Sequence, residues 1–196
     1  CDIVAYPTWQ GLLTLYLPGQ DSLIYQFHIR KDDDEFNWNR DFLVSKININ
    51  KNDGLGAVIS KNELILEGDF GANINAVRHA NGRDWWIVLP QSASNKYYVF
   101  LFDPTGISLS HIQPVGQMWS ELDWAGQSCF SPDGSKFVRA NPYNGVHIYD
   151  FDRCEGFFSP IENFPIPLDS IPINNLGIGV TISPNSRFLY MSKLTA

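Results

Sequence analysis

The stretch "GQSCFSPDGSKFVRA", residues 126–140, sets a Ser-Pro-Asp-Gly turn between two short apolar runs. Asp and Gly tolerate the positive φ of tight hairpins, and Ser and Asp side chains hold such corners by local hydrogen bonds. The same few residues also crowd Ser128, Cys129, Ser131 and Asp133 together, so the stretch reads either as a reactive site or as one corner of a scaffold. Recurrence decides between the two. "HANGRDWWIVLP" begins at His79, "SPDGSKFVRANP" at Ser131 and "SPNSRFLYMS" at Ser183, each start 52 residues after the last. A fourth copy fits upstream in "GLLTLYLPGQDSLIYQFHI", with Gly19 in the same role. A fixed period of this length marks a repeat architecture.

A second motif follows each corner. "YYVFLFDPTGI" (97–107) and "VHIYDFDRCEGFF" (146–158) share a β-rich run, an Asp and a Gly a few residues later, and "LVSKININKNDGLGAVI" (43–59) fits more loosely. Runs rich in Val, Ile, Tyr, Phe and Trp, some of them alternating, read as strands. No stretch carries a capped 3.6-residue period, so no long helix is expected. Four antiparallel strands per unit predict an all-β fold, a β-propeller of four-stranded blades, whose radial repetition hides most sheet edges. The chain holds about three and a half blades, at 11–66, 73–113, 126–168 and an incomplete 177–196. Because propellers close with four to eight blades, the remaining blades are expected in a longer chain or in another segment that closes the arc.

With strands A to D in each blade, the A–B and C–D turns share one face and the B–C and D–A loops the other. The first face is made of short turns. The second carries "RKDDDEFNWNRD" (30–41), "PQSASN" (90–95), "NPYNG" (141–145), "EGDFGANI" (67–74), "HIQPVGQMWSELDW" (111–124) and "IENFPIPLDSIPINN" (161–175). Long loops on a rigid scaffold are where binding usually resides.

At 196 residues, 44% hydrophobic and 14% aromatic, the chain can bury a real core. A net charge of −7 with scattered Lys and Arg speaks against nucleic acid, which demands clustered cations. No apolar run approaches about 20 residues, so no membrane insertion is expected. Cys1, Cys129 and Cys154 form no CxxC pair, and Cys129 reads as a small packed hydrophobe on a strand A. Cys1 could be a lipidated mature end, but the apolar strand pattern that follows almost at once favours a cut through a larger protein.

Most sharp chemical readings fail on spacing. Ser128 lacks the G-x-S-x-G elbow, and His28, His79, His111 and His147 are scattered, with no HExxH and no neighbouring carboxylate at ligand spacing. The Asp32 to Glu35 run lacks the alternating acids of a calcium loop and reads as a solvated charged loop. Neither a metal nor a cofactor is therefore expected. Trp85 and Trp86, adjacent in a strand, should face opposite sides of the blade and wedge it between its neighbours.

The ordered series "LPGQDSLIYQFHI", "NKNDGLGAVISKNELIL", "INAVRHANGRDWWIVLP", "KYYVFLFDPTGI", "CFSPDGSKFVRA", "VHIYDFDRCEGFFSP" and "ISPNSRFLYMS" resembles the N-terminal propeller region of large secreted proteins of Bacteroidetes, in the type IX secretion and gliding-motility group. The resemblance implies a secreted or cell-surface location and a non-enzymatic interaction role. The Trp-Asp pair of standard WD repeats is absent, replaced by "YD", "FD" and "IN".

Trp38, Trp119 and Trp124 fall in long loops, Trp38 beside Asp33 and Asp34, and the other two beside Glu121 and Asp123. Aromatic faces and carboxylates together suit a protein or carbohydrate partner. Trp38, Trp119, Glu121, Asp123 and Trp124 are the candidate partner-binding residues, against the plainer reading that the tryptophans plug the loops. The expected function is a non-catalytic interaction module. The alternatives are a lactonase-like propeller hydrolase and a structural spacer within a large adhesin. A hydrolase would need charged groups at the channel end of strand A, and "GLLTLYL", "INAV", "GQSCF" and "GVTI" offer none.

Overall fold

The structure is a computed structural model that describes residues 10–31, 40–71, 73–120, 126–166 and 178–193. Strands β1 (Leu12–Leu17), β2 (Gln20–Lys31), β3 (Arg40–Asn48) and β4 (Ala57–Leu66) form a first antiparallel sheet in chain order. A second contains β5 (Asn75–Arg78), β6 (Trp85–Pro90), β7 (Lys96–Asp103) and β8 (Gly106–Pro114). A third contains β9 (Gln127–Phe130), β10 (Lys136–Asn141), β11 (Gly145–Phe151) and β12 (Phe158–Phe164). Finally β13 (Ile178–Ile182) pairs with β14 (Leu189–Lys193). Helix among the described residues is limited to a 3-10 turn at Asn52–Gly54. The chain is an all-β propeller arc.

The repeated corners are built alike. Gly82, Gly134 and Ser186 stand 52 residues apart with φ of +75°, +74° and +56°. Each donates its N–H to the carbonyl three residues back, His79, Ser131 or Ser183, at 2.8 to 2.9 Å. In the SPDG corner Ser131 Oγ donates to Asp133 Oδ1 at 2.6 Å and accepts from Lys136 N at 2.9 Å, while Ser135 N donates to Asp133 Oδ1 at 2.9 Å. These bonds hold the Asp133 carboxyl down at about 2, the Ser131 hydroxyl contributing most. The opening tetrapeptide is scaffold.

Core residues gather between sheets. Tyr25, Phe27, Phe42, Ile87, Phe100 and Phe102 fill the first seam, between blades 1 and 2. Trp86, Val88, Tyr97, Phe137, Tyr149 and Phe158 fill the second. Val138, Ala140, Val146, Ile178 and Val180 fill the third, against β13. Strand alternation explains the division, because successive side chains of one strand point to opposite faces. Trp85 accordingly packs on the first seam and Trp86 in the second. Cys129 packs on the third seam, where burial pushes its thiol up to about 11, and both Cys129 and Cys154 are free thiols.

Amide side chains then stitch blades together. Gln10 bonds both backbone groups of Ser128, accepting from its N–H at 2.8 Å and donating to its carbonyl at 3.0 Å. Gln113 does the same for Phe158, at 2.8 and 2.7 Å, and Gln127 accepts from Val180 N at 2.8 Å. Each bond satisfies backbone that no strand partner reaches. One expectation about the inner strands is corrected: β5 runs on to Arg78 and so carries a cation at its turn-face end.

Candidate functional site

Blade 3 carries a row of polar side chains at one level. Ser128, Arg139, His147 and Asn163 are successive cross-strand partners on β9, β10, β11 and β12. Opposed residues of an antiparallel sheet share a face, so all four project toward the second seam. Ser128, Arg139 and His147 are 0%, 1% and 4% exposed. Charged side chains are almost never buried this deeply without partners. Here the Arg139 guanidinium lies 3.8 Å from the Trp119 ring centre and 5.9 Å from that of Tyr97. The indole is in turn 4.9 Å from the His147 ring.

His147 has a defined tautomer. Its Nε2 lies 2.9 Å from the Asn144 carbonyl, which can only accept, so Nε2 carries the proton and Nδ1 keeps its lone pair. Burial, and less strongly the nearby charge of Arg139, hold the imidazole below its ordinary value, so it is neutral at pH 7. Beneath it, Tyr97 Oη donates to Tyr149 Oη at 3.3 Å, and burial pushes the Tyr149 phenol upward. A cleft of about 200 Å³ opens beside this group, its lining including Gly116, Gln117, His147, Tyr149, Glu162 and Asn163. Asn163 Nδ2 bonds Gln117 Oε1 at 3.1 Å across its rim. Gly116 has φ +72°, and a Cβ there would come within 2.8 Å of the Tyr149 hydroxyl, so only glycine lets the D–A connection lie this close.

Of the sequence candidates, Trp119 is in this cluster but in a different role. It is 3% exposed and covered by Arg139 and His147, so it fills the seam and offers no open stacking face. Trp38, Glu121, Asp123 and Trp124 lie outside the described residues, as do Cys1 and Asp32 to Glu35. From sequence His147 is weighed only as a metal ligand and Arg139 is passed over, because "KFVRAN" and "VHIYDF" look like ordinary strands. The signal was parity: Arg139 alternates with Phe137, and His147 with Tyr149 and Phe151, all of them buried in one seam. No three His, Cys, Asp or Glu converge at metal distance among the described residues. Buried Ser128 is committed to joining blades, its carbonyl accepting from Asn75 Nδ2 at 2.8 Å as well as from Gln10.

No family model matches the chain, and no curated protein matches it. Solved structures do. A protein from Lactobacillus plantarum aligns over 95% of the chain with TM-score 0.51 and 14% identity. A proposed 6-phosphogluconolactonase from Bacteroides fragilis aligns over 90%, with TM-score 0.50 and 18% identity. The periplasmic gluconolactonase of Pseudomonas aeruginosa aligns over 87%, with TM-score 0.55 and 13% identity. The chain spans 62%, 50% and 47% of the length of these three. At such identities the likeness is one of fold. It nonetheless corrects the expectation of a non-enzyme, since propellers of this architecture include proteins named as lactonases. That expectation rested on uncharged inner strands, whereas the buried cation and imidazole of blade 3 come from β10 and β11.

Proposed function

We propose that the protein is a propeller hydrolase acting on a sugar lactone, with its chemistry at the long-loop end of the second seam. The observation that carries this reading is the buried, neutral His147, anchored through Nε2 and lining a cleft beside the Arg139 cation. Opening a lactone requires a water proton to be taken as the oxygen attacks the ester carbonyl. A neutral imidazole with a free nitrogen lone pair suits that task. The Nδ1 of His147 accepts the proton, and the field of Arg139 favours the negative charge that develops on the carbonyl oxygen. Collapse of the tetrahedral intermediate breaks the ring C–O bond, and the imidazolium returns its proton to the leaving alkoxide, yielding the hydroxy acid.

The names of the Bacteroides and Pseudomonas propellers support the substrate class. The periplasmic setting of the latter supports an extracytoplasmic location, in keeping with the secreted or surface location expected from sequence. The experiment is a pH-stat assay of the full-length protein on glucono-δ-lactone at pH 7. Wild type accelerates ring opening over buffer, and His147→Gln lowers kcat by about 10²- to 10⁴-fold while leaving the far-ultraviolet spectrum unchanged. A wild-type rate equal to buffer, or a fully active His147→Gln, overturns the reading.

A further inference from the structure

On the opposite, short-turn face, the first seam opens into a second cleft, of about 540 Å³. It lies between the β1–β2 and β5–β6 turns, and its lining includes Tyr16, Leu17, Asp21, Arg78, Arg83 and Trp85. At the corresponding place on the second seam, Arg153 fills the space. Its Nε donates to the Arg78 carbonyl at 2.8 Å, Nη1 to that of Asp133 at 3.0 Å and Nη2 to that of His79 at 3.4 Å. Blade 2 has no side chain of that reach at the matching position. Asp103 Oδ1 accepts from Thr105 N at 2.7 Å as Asp152 Oδ1 accepts from Cys154 N at 2.7 Å, which makes Pro104 the counterpart of Arg153. Proline is short and carries no donor.

What lines the open cleft is specific. The Arg78 guanidinium lies 4.0 Å from the Trp85 ring centre and donates from Nη1 to the Arg83 carbonyl at 2.6 Å. It is exposed and enters no ion pair among the described residues, whereas Arg83 spends its charge on Asp84 at 2.7 Å. Tyr16 is 53% exposed, and Asp21 adds an exposed acceptor. A fixed cation, two aromatic faces and one carboxylate match an anionic group, a hydroxylated carbon chain and its hydroxyl protons. The volume suits a small ligand.

We propose that this cleft is a binding site for a small hydroxylated carboxylate of the sugar-acid class. Arg78 takes the carboxylate, Tyr16 and Trp85 flank the chain, and Asp21 accepts from a hydroxyl. The site is separate from the His147 cleft and does not depend on the hydrolase reading. The test is calorimetric titration of the full-length protein with sodium gluconate, and with glucitol as the neutral counterpart. Gluconate binds wild type and His147→Gln alike, glucitol binds at least about tenfold more weakly, and Arg78→Gln weakens gluconate at least about tenfold, as expected for loss of a charge-assisted pair. Pro104→Arg, which supplies the plug found on the second seam, also abolishes binding and guards against a folding defect in the first variant. The site is overturned if wild type does not bind gluconate, if glucitol binds as well, if both cleft variants bind normally, or if only His147→Gln loses binding.

Discussion

The two seams on either side of blade 2 use the same sheet differently. The first is aromatic and apolar at its centre: Phe27 and Phe102 meet edge to face at 5.3 Å, and Phe42 with Phe100 and Tyr25 with Phe102 pack as tilted pairs at 5.2 and 5.0 Å. The second has a comparable aromatic centre, with Tyr97 and Phe158 at 5.1 Å and Phe137 and Phe158 at 5.4 Å, but polar side chains fill both its ends, whereas the first opens as a cleft at its turn face. Arg153 closes the turn face and Arg139 with His147 occupies the loop face. The first seam therefore maximises apolar burial, while the second places a buried cation against a buried imidazole, which costs desolvation that hydrocarbon would not. That costly seam is the one to which the proposed hydrolase chemistry is assigned.

The largest effect should come from breaking the apolar seam. Phe102 is 0% exposed within the first cluster, and Phe102→Ala leaves a cavity against Tyr25 and Phe27. Chemical unfolding should show a loss of about 3–5 kcal/mol, with lactone turnover per folded molecule unchanged. A smaller loss, about 2 kcal/mol, is expected for Arg153→Met, which removes side-chain donors from the carbonyls of Arg78, Asp133 and His79. Here the denaturant midpoint should fall while the slope stays constant. A loss larger than that of Phe102→Ala would reverse the ranking of the two seams.

The fold was legible in sequence because its corners are chemically explicit. Ser131, Pro132, Asp133 and Gly134 announce a turn on their own, and the spacing to Gly82 and Ser186 turns one corner into a blade repeat. The side chains of the proposed site were not legible for the opposite reason. Arg139 becomes a buried cation only because blade 2 brings Tyr97 and the D–A connection brings Trp119 over it, contacts made across long sequence separations. Trp119 is the complementary case: a loop residue in sequence is a seam residue in space. The cleft at Arg78 depends on a proline standing where the next blade has an arginine, a difference that means nothing until the turns are superposed by their Asp103 and Asp152 bonds.

The most direct measurement is the pH–rate profile of lactone hydrolysis for the full-length wild type and Arg139→Met. The imidazole of His147 is held below the ordinary histidine value, about 6.5, first by burial and further by the Arg139 charge, and only its neutral form accepts a proton. The wild-type rate should therefore hold as pH falls through that value and decline only below it. Removing the cation relieves the penalty on the imidazolium, so Arg139→Met should decline at a higher pH than wild type. Superimposable acid limbs, or a limb that moves to lower pH in Arg139→Met, would contradict the assignment of the chemistry to the second seam.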